Sequence, residues 1–128
     1  VTKTLILIRG HQGSGKSTLA KALKTPHNVH YEADMYWYLG NNGEYVFDAK
    51  RLGKAHQWCQ DCANSAMSRH IDVIVSNTFT TRKELKPYLL MAERHGYKVQ
   101  EIICRGDFQN EHGVPDDVVA RKKAAIEL

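Results

Sequence analysis

Eight residues near the start of the chain constrain its fold most: Gly10-His11-Gln12-Gly13-Ser14-Gly15-Lys16-Ser17. They match G-x-x-x-x-G-K-S in full, and each fixed position has a physical job. Gly10, Gly13 and Gly15 can adopt backbone angles that a side chain would forbid, and they let the main chain wrap closely around a phosphate. The N–H groups of the loop then point inward, at the positive end of the helix that follows. Lys16 can reach β- and γ-phosphates as a point charge, and the Ser17 hydroxyl can ligate Mg²⁺.

The surroundings fit that reading. Leu5 to Ile8 is a continuous aliphatic run, as in a buried strand of a parallel sheet. Ser17 to Lys24 has Leu19, Ala20 and Leu23 at helical spacing, and Pro26 stops it. Val29 to Glu32 reads as a second strand, and Asp34 to Gly43 as an aromatic loop. Asp48 is placed to cap the longest helix, whose apolar positions are Leu52, Ala55, His56, Cys59, Ala63, Ala66 and Met67. Ile71 to Val75 is a third strand, Arg82 to His95 a helix closed by Gly96, and Tyr97 to Cys104 a fourth strand. Pro115 opens a last helix. Alternating strands and helices predict an α/β, three-layer P-loop NTPase fold, with a central, mostly parallel sheet of four to five strands flanked by helices. No repeat or linker interrupts residues 1–128, which read as one nucleotide-binding domain.

Composition narrows the setting. The formal charge of +4 suits an anionic partner but says nothing about fold. Three cysteines, Cys59, Cys62 and Cys104, fit a reducing cytoplasm better than a disulfide framework. The N-terminal apolar run is too short to span a membrane, and no membrane partner is expected. His56, Cys59 and Cys62 lie at i, i+3 and i+6 with no fourth ligand nearby, so they read as helix positions and not a zinc site.

The loop implies a triphosphate but names no reaction. No N-K-x-D guanine signature is present, which favours ATP with Mg²⁺ as cofactor. Asp34 follows the second strand, at the edge where α/β sheets bind ligands, and is a candidate general base. Glu32 is a second candidate, less well placed. The third strand ends in Ser76-Asn77-Thr78, without the Asp that often helps hold Mg²⁺, so the metal would rest on Ser17, phosphates and water. Asn77 or Thr78 could sense the γ-phosphate or cap the strand end. Arg82, Arg105 and Arg121 are candidates to steady a migrating phosphoryl group. The aromatic cluster of Tyr31, Tyr36, Trp37, Tyr38, Tyr45 and Phe47 either stacks on an acceptor base or packs as a small lid.

The sequence also resembles the small P-loop kinases related to the kinase domain of bacteriophage polynucleotide kinase. Gly10 to Thr18 matches that family's phosphate loop. Ala33-Asp34-Met35-Tyr36 resembles its segment bearing the catalytic Asp, and Val75-Ser76-Asn77-Thr78 resembles its strand end. His112-Gly113-Val114-Pro115 followed by Arg121 resembles the tail of short, phage-encoded relatives. Trp37 stands where that family has an Arg gripping the acceptor phosphate, Ser76 and Phe79 replace polar residues, and Gly106 to Asn110 is short beside an arginine-rich lid. The resemblance implies catalytic Asp34, Lys16 and Arg121. It implies nucleotide binding by Gly10, Gly13, Ser14, Gly15, Lys16, Ser17 and Thr18, with Ser17 on the metal. The expected reaction moves the ATP γ-phosphate to a hydroxyl of a nucleic acid 5′ end or a nucleoside-like acceptor. The rival is an ATP-binding module that regulates a partner without transfer.

Overall fold

The computed structural model describes residues 2–40, 42–106 and 126–128. Its elements run β1 (Thr4–Arg9), α1 (Lys16–Leu23), β2 (Asn28–Tyr31), α2 (Leu52–Ser68), β3 (Asp72–Asn77), α3 (Arg82–His95) and β4 (Lys98–Ile103). Two 3-10 turns, Ala33–Tyr38 and Ala49–Arg51, lie between β2 and α2. The strands form one parallel sheet in the order β2-β3-β1-β4. This is the expected three-layer α/β architecture, with four strands among the described residues.

Alternation along the strands divides the core between two faces. Leu5 and Leu7 of β1 and Val73 and Val75 of β3 pack with Ala55, Cys59 and Ala63 of α2 and with Leu85, Tyr88 and Met91 of α3. Ile8 and Ile74 point the other way and pack with Ala20 of α1, backed by Ile6, Leu19 and Leu23. Each aliphatic side chain fully buried here contributes about 1.5–3 kcal/mol. The helix after β1 therefore covers one face and the helix after the adjacent β3 covers the other. The chain departs in opposite directions from the carboxyl ends of these neighbours, which opens the crevice where such sheets hold ligands.

Local chemistry fixes the ends of the elements. Thr81 and Glu84 form a reciprocal capping box at the start of α3, and Gly96 closes that helix at φ 74°. Asp48 caps the short Ala49–Arg51 turn that leads into α2, accepting from the Lys50 N–H at 3.0 Å, and does not cap the long helix itself. Leu52 and His56 are exposed, because the buried stripe of α2 is Ala55, Cys59, Ala63, Ala66 and Met67. The first part of the Asp34 to Gly43 stretch expected as loop belongs to a 3-10 turn, Ala33–Tyr38, that buries Trp37 at 2% exposure. Among the described residues no helix is long and apolar enough to cross a membrane. The expected helix from Pro115, the stretch 107–110 and Arg121 lie outside the described residues.

Candidate active site

The loop from Gly10 to Ser17 joins β1 to α1 at the carboxyl edge of the sheet. Gly13 and Gly15 take φ of 78° and 93°, in the left-handed region that glycine alone enters freely. Gly10 is required for a different reason. A Cβ there would meet Ser14 Oγ at 2.2 Å and the Cys104 carbonyl oxygen at 3.0 Å. The Gly10 N–H donates to the Thr78 carbonyl at 3.2 Å, which ties the loop to the end of β3. On the other side, the Cys104 N–H donates to the Arg9 carbonyl at 2.7 Å and the Gly106 N–H to the Ser14 carbonyl at 3.2 Å. Backbone from both neighbouring strands thus holds the loop, with exposed Arg105 beside it. Ser14 and His11 are buried, Ser14 against Gly10. His11 is 1% exposed, so it faces neither solvent nor an open acceptor side. Lys16 and Ser17 open α1, and Thr18 is exposed on its first turn.

A small cleft of about 40 Å³ brings Asp34 and Lys16 together; Gly10, Gly13, Ser14, Gly15, Ser17 and Thr18 are not part of its lining, and Arg121 lies outside the described residues. Gln12 and Lys16 line it from the loop, Glu32 and Asp34 from the end of β2, and Ser76, Asn77 and Thr78 from the end of β3. Asp34 sits in the first turn of the 3-10 segment. Its charge bears on Tyr45, whose hydroxyl is pushed up to about 12 by burial and, next, by Asp34. Asn77 steadies this segment: its Oδ1 accepts the Ala33 N–H at 2.8 Å, while its Nδ2 donates to Cys59 Sγ at 3.7 Å. Asp72, at the opposite end of β3, accepts from the Thr4 N–H and stands apart from the cleft.

Glu32 is better placed than its sequence position suggested. The Ser17 and Ser76 hydroxyls both donate to Glu32 Oε2, each at 2.9 Å. His30 Nε2 lies 2.6 Å from Ser76 Oγ. The one Ser76 proton goes to Glu32, so the Ser76 oxygen accepts from an Nε2–H of His30. Burial pushes the His30 imidazole below its ordinary value, Glu32 opposes that, and Lys21 and Lys24 add to it. The signal for Glu32 was present in the strand pairing. Tyr31, the last residue of β2, pairs with Val75, so Glu32 just after that strand comes beside Ser76, whose hydroxyl bonds it.

The arginines divide. Arg82 bonds both carboxylate oxygens of Glu101, at 2.5 and 3.2 Å, and is absent from the cleft lining. Arg9, 1% exposed, pairs with the same Glu101 at 3.5 Å and donates to the Phe79 and Glu127 carbonyls. Burial lowers its affinity for a proton and Glu101 opposes the shift. Phe79 is core, packed edge-on against Tyr88 at 5.5 Å.

The aromatics pack mainly on one another. Tyr36 meets Trp37 at 5.3 Å and Trp58 at 6.2 Å, and Trp37 meets Phe47 at 5.1 Å. Arg51 lies over the Tyr36 ring and donates to its hydroxyl at 2.6 Å. Tyr36, Trp37, Val46 and Arg51 help line a second hollow of about 300 Å³.

A family model described as "AAA domain" matches residues 5–109, spanning the loop, both carboxylates and all four strands. The chain belongs to this family. Human NEDD4-binding protein 2 is 44% identical over 98 residues, which are 74% of this AAA domain chain and 5% of that protein. The chain thus spans only a small part of that relative's length. Among solved structures, the Pnkp1/Rnl/Hen1 RNA repair complex contains a chain that superimposes with a TM-score of 0.74 at 14% identity, covering 98% of this chain and 44% of that one. The APS kinase CysC of Mycobacterium tuberculosis, as its Cys556Ala mutant, gives 0.60 at 16% identity, covering 96% and 93%. At these identities the likeness is one of fold: this AAA domain has the three-layer P-loop architecture also found in a kinase.

Proposed function

We propose that this AAA domain is an ATP-dependent phosphotransferase of the polynucleotide kinase type, acting on a hydroxyl acceptor such as a nucleic acid 5′ end or a nucleoside. One observation carries the reading: Asp34 and Lys16 line the same cleft. The loop amides and Lys16 hold the β- and γ-phosphates of ATP, with Gly10, Gly13, Ser14, Gly15 and Thr18 shaping the cradle. Ser17 offers its oxygen to Mg²⁺, and the metal when bound neutralises charge on the phosphate oxygens. The acceptor oxygen attacks the γ-phosphorus, the bond to the β,γ-bridging oxygen breaks, and ADP leaves. Asp34 takes the acceptor proton. Arg105 lies beside the loop to meet charge on the γ-phosphoryl oxygens, and Arg121 is proposed for the same task from the resemblance alone. The buried Trp37 removes an acceptor-gripping Arg, which favours acceptors held by contacts other than a phosphate at that position.

The test uses γ-labelled ATP with Mg²⁺ and either 5′-hydroxyl oligonucleotides or nucleosides. Transfer by the wild type that drops at least 100-fold in Asp34→Asn, with ATP binding retained, supports the proposal. Binding of ATP with no transfer to any hydroxyl acceptor would replace it with the regulatory module.

A further inference from the structure

Proteins with this loop hold magnesium through the loop Ser or Thr and a carboxylate at the end of a neighbouring strand. Here that strand, β3, ends in Ser76 and Asn77. The position is not left without a carboxylate, because Glu32 reaches it from β2. We propose that Glu32 is the magnesium-side carboxylate of this site, entering from β2 in place of a β3 residue and orienting Ser17 toward a metal bound with the triphosphate. This rests on the reading of the loop as a magnesium–triphosphate site.

Three observations support it. A hydroxyl that ligates a cation through its oxygen must send its proton elsewhere, and Ser17 already donates to Glu32 at 2.9 Å. The carboxylate is held from a second side, since Ser76 donates to the same oxygen and His30 in turn donates to Ser76. The third concerns charge. Glu32 shares the small cleft with Lys16, beside a loop built for anions. A carboxylate and a γ-phosphate at such range repel by several times the thermal energy at an intermediate dielectric. A divalent cation between them turns that repulsion into attraction. Glu32 should therefore hinder metal-free nucleotide and favour the magnesium complex, and a merely structural hydrogen bond would do neither.

The experiment is calorimetric titration of the folded chain with β,γ-imido-ATP, in Mg²⁺ and in EDTA, for wild type, Glu32→Gln, Ser76→Ala and Asp34→Asn. In wild type, Mg²⁺ should tighten binding at least 10-fold. In Glu32→Gln that enhancement should shrink at least 5-fold, while affinity in EDTA stays equal or rises. Ser76→Ala, which keeps the charge but frees the carboxylate, should give an intermediate loss and serves as the deciding variant if Glu32→Gln does not fold. An unchanged enhancement in Glu32→Gln, or in Ser76→Ala where that variant decides, overturns the proposal. So does an equal loss of affinity with and without metal. Absence of nucleotide binding by wild type overturns this proposal together with the loop assignment. If enhancement depends on Glu32 but no acceptor is ever labelled, the phosphotransferase reading falls and this one stands. Asp34→Asn should abolish transfer and, because Asp34 lines the same cleft while the Ser17 hydroxyl donates to Glu32, should lower the Mg²⁺ enhancement less than Glu32→Gln does; an equal or larger fall overturns the assignment to Glu32.

Discussion

The Oδ1 of Asn77 accepts the Ala33 N–H at 2.8 Å, so the last residue of β3 fixes the turn that presents Asp34. Removing the side chain leaves a buried N–H without its partner, at a cost of about 1–3 kcal/mol. Asn77→Ala should lower the kcat of the proposed transfer about tenfold through lost positioning of Asp34, the proposed base. Its KM for ATP should hold within about twofold, since the loop contact to β3 runs through the Thr78 backbone. Steady-state kinetics beside urea unfolding check both parts, and an unaltered kcat would deny Asn77 this role.

Gly10 is needed for space. Gly10→Ala drives a methyl group into Ser14 Oγ and against the Cys104 carbonyl. Overpacking of this kind costs about 1–3 kcal/mol and should also weaken ATP binding. Adding Ser14→Gly removes the side-chain part of the clash and leaves the backbone part, so the double variant should recover some stability but not all. Ser14→Ala alone should be close to neutral, because the buried Ser14 hydroxyl has no hydrogen-bond partner among the described residues. Thermal unfolding of wild type, the three single variants and the double variant is sufficient, and strict additivity of Gly10→Ala and Ser14→Gly would refute the shared clash.

Alkaline pH should destabilise the fold. Burial pushes the Cys59 thiol up to about 11 from an ordinary 9.0, against hydrogen bonds with Tyr88 and Asn77 that lower it. The unfolded thiol releases its proton near pH 9 while the folded one keeps it. This contribution is therefore complete below pH 9 and lost as pH rises toward 11. Two pH units correspond to about 2.7 kcal/mol at most. Burial also raises the Tyr88 and Tyr45 hydroxyls, which extends the loss past pH 10. Urea midpoints measured from pH 7 to pH 11 should fall above pH 9, and Cys59→Ala should flatten the first part of that fall. A midpoint flat to pH 10.5 contradicts the assignment.

Glu101 serves two arginines of unequal burial. Glu101→Gln strips the carboxylate from Arg9, which is 1% exposed and, among the described residues, keeps the Phe79 and Glu127 carbonyls as partners. The expected cost is on the order of 2 kcal/mol, measured by urea unfolding. Arg82→Ala removes an exposed partner of the same carboxylate and should cost clearly less. The reverse ranking would show that the buried arginine does not depend on Glu101.

The fold was legible because its signals are local and mutually consistent. The run Leu5 to Ile8, the loop, and the Thr81–Gly96 helix with its caps each declare themselves within a few residues. The place of the loop between β1 and α1 was legible for the same reason. The contacts of Glu32 were not legible because they depend on Ser76, 44 residues away, which periodicity alone does not reveal. The place of Arg82 after β3 gave no sign of its pairing with Glu101 of β4. The turn from Asp34 on was read as loop because a 3-10 segment has too few residues to show a repeat, and burial of Trp37 is what shapes it.

The chain has two tryptophans, Trp37 and Trp58, and Tyr36 touches both. Tyr36 and Trp37 belong to the same short turn as Asp34, while Trp58 belongs to α2. Any shift of Asp34 relative to the sheet must therefore change the surroundings of an indole. The protein carries its own optical gauge, in which a change of emission on mixing with nucleotide or acceptor would time the movement of the Asp34 turn without an added label.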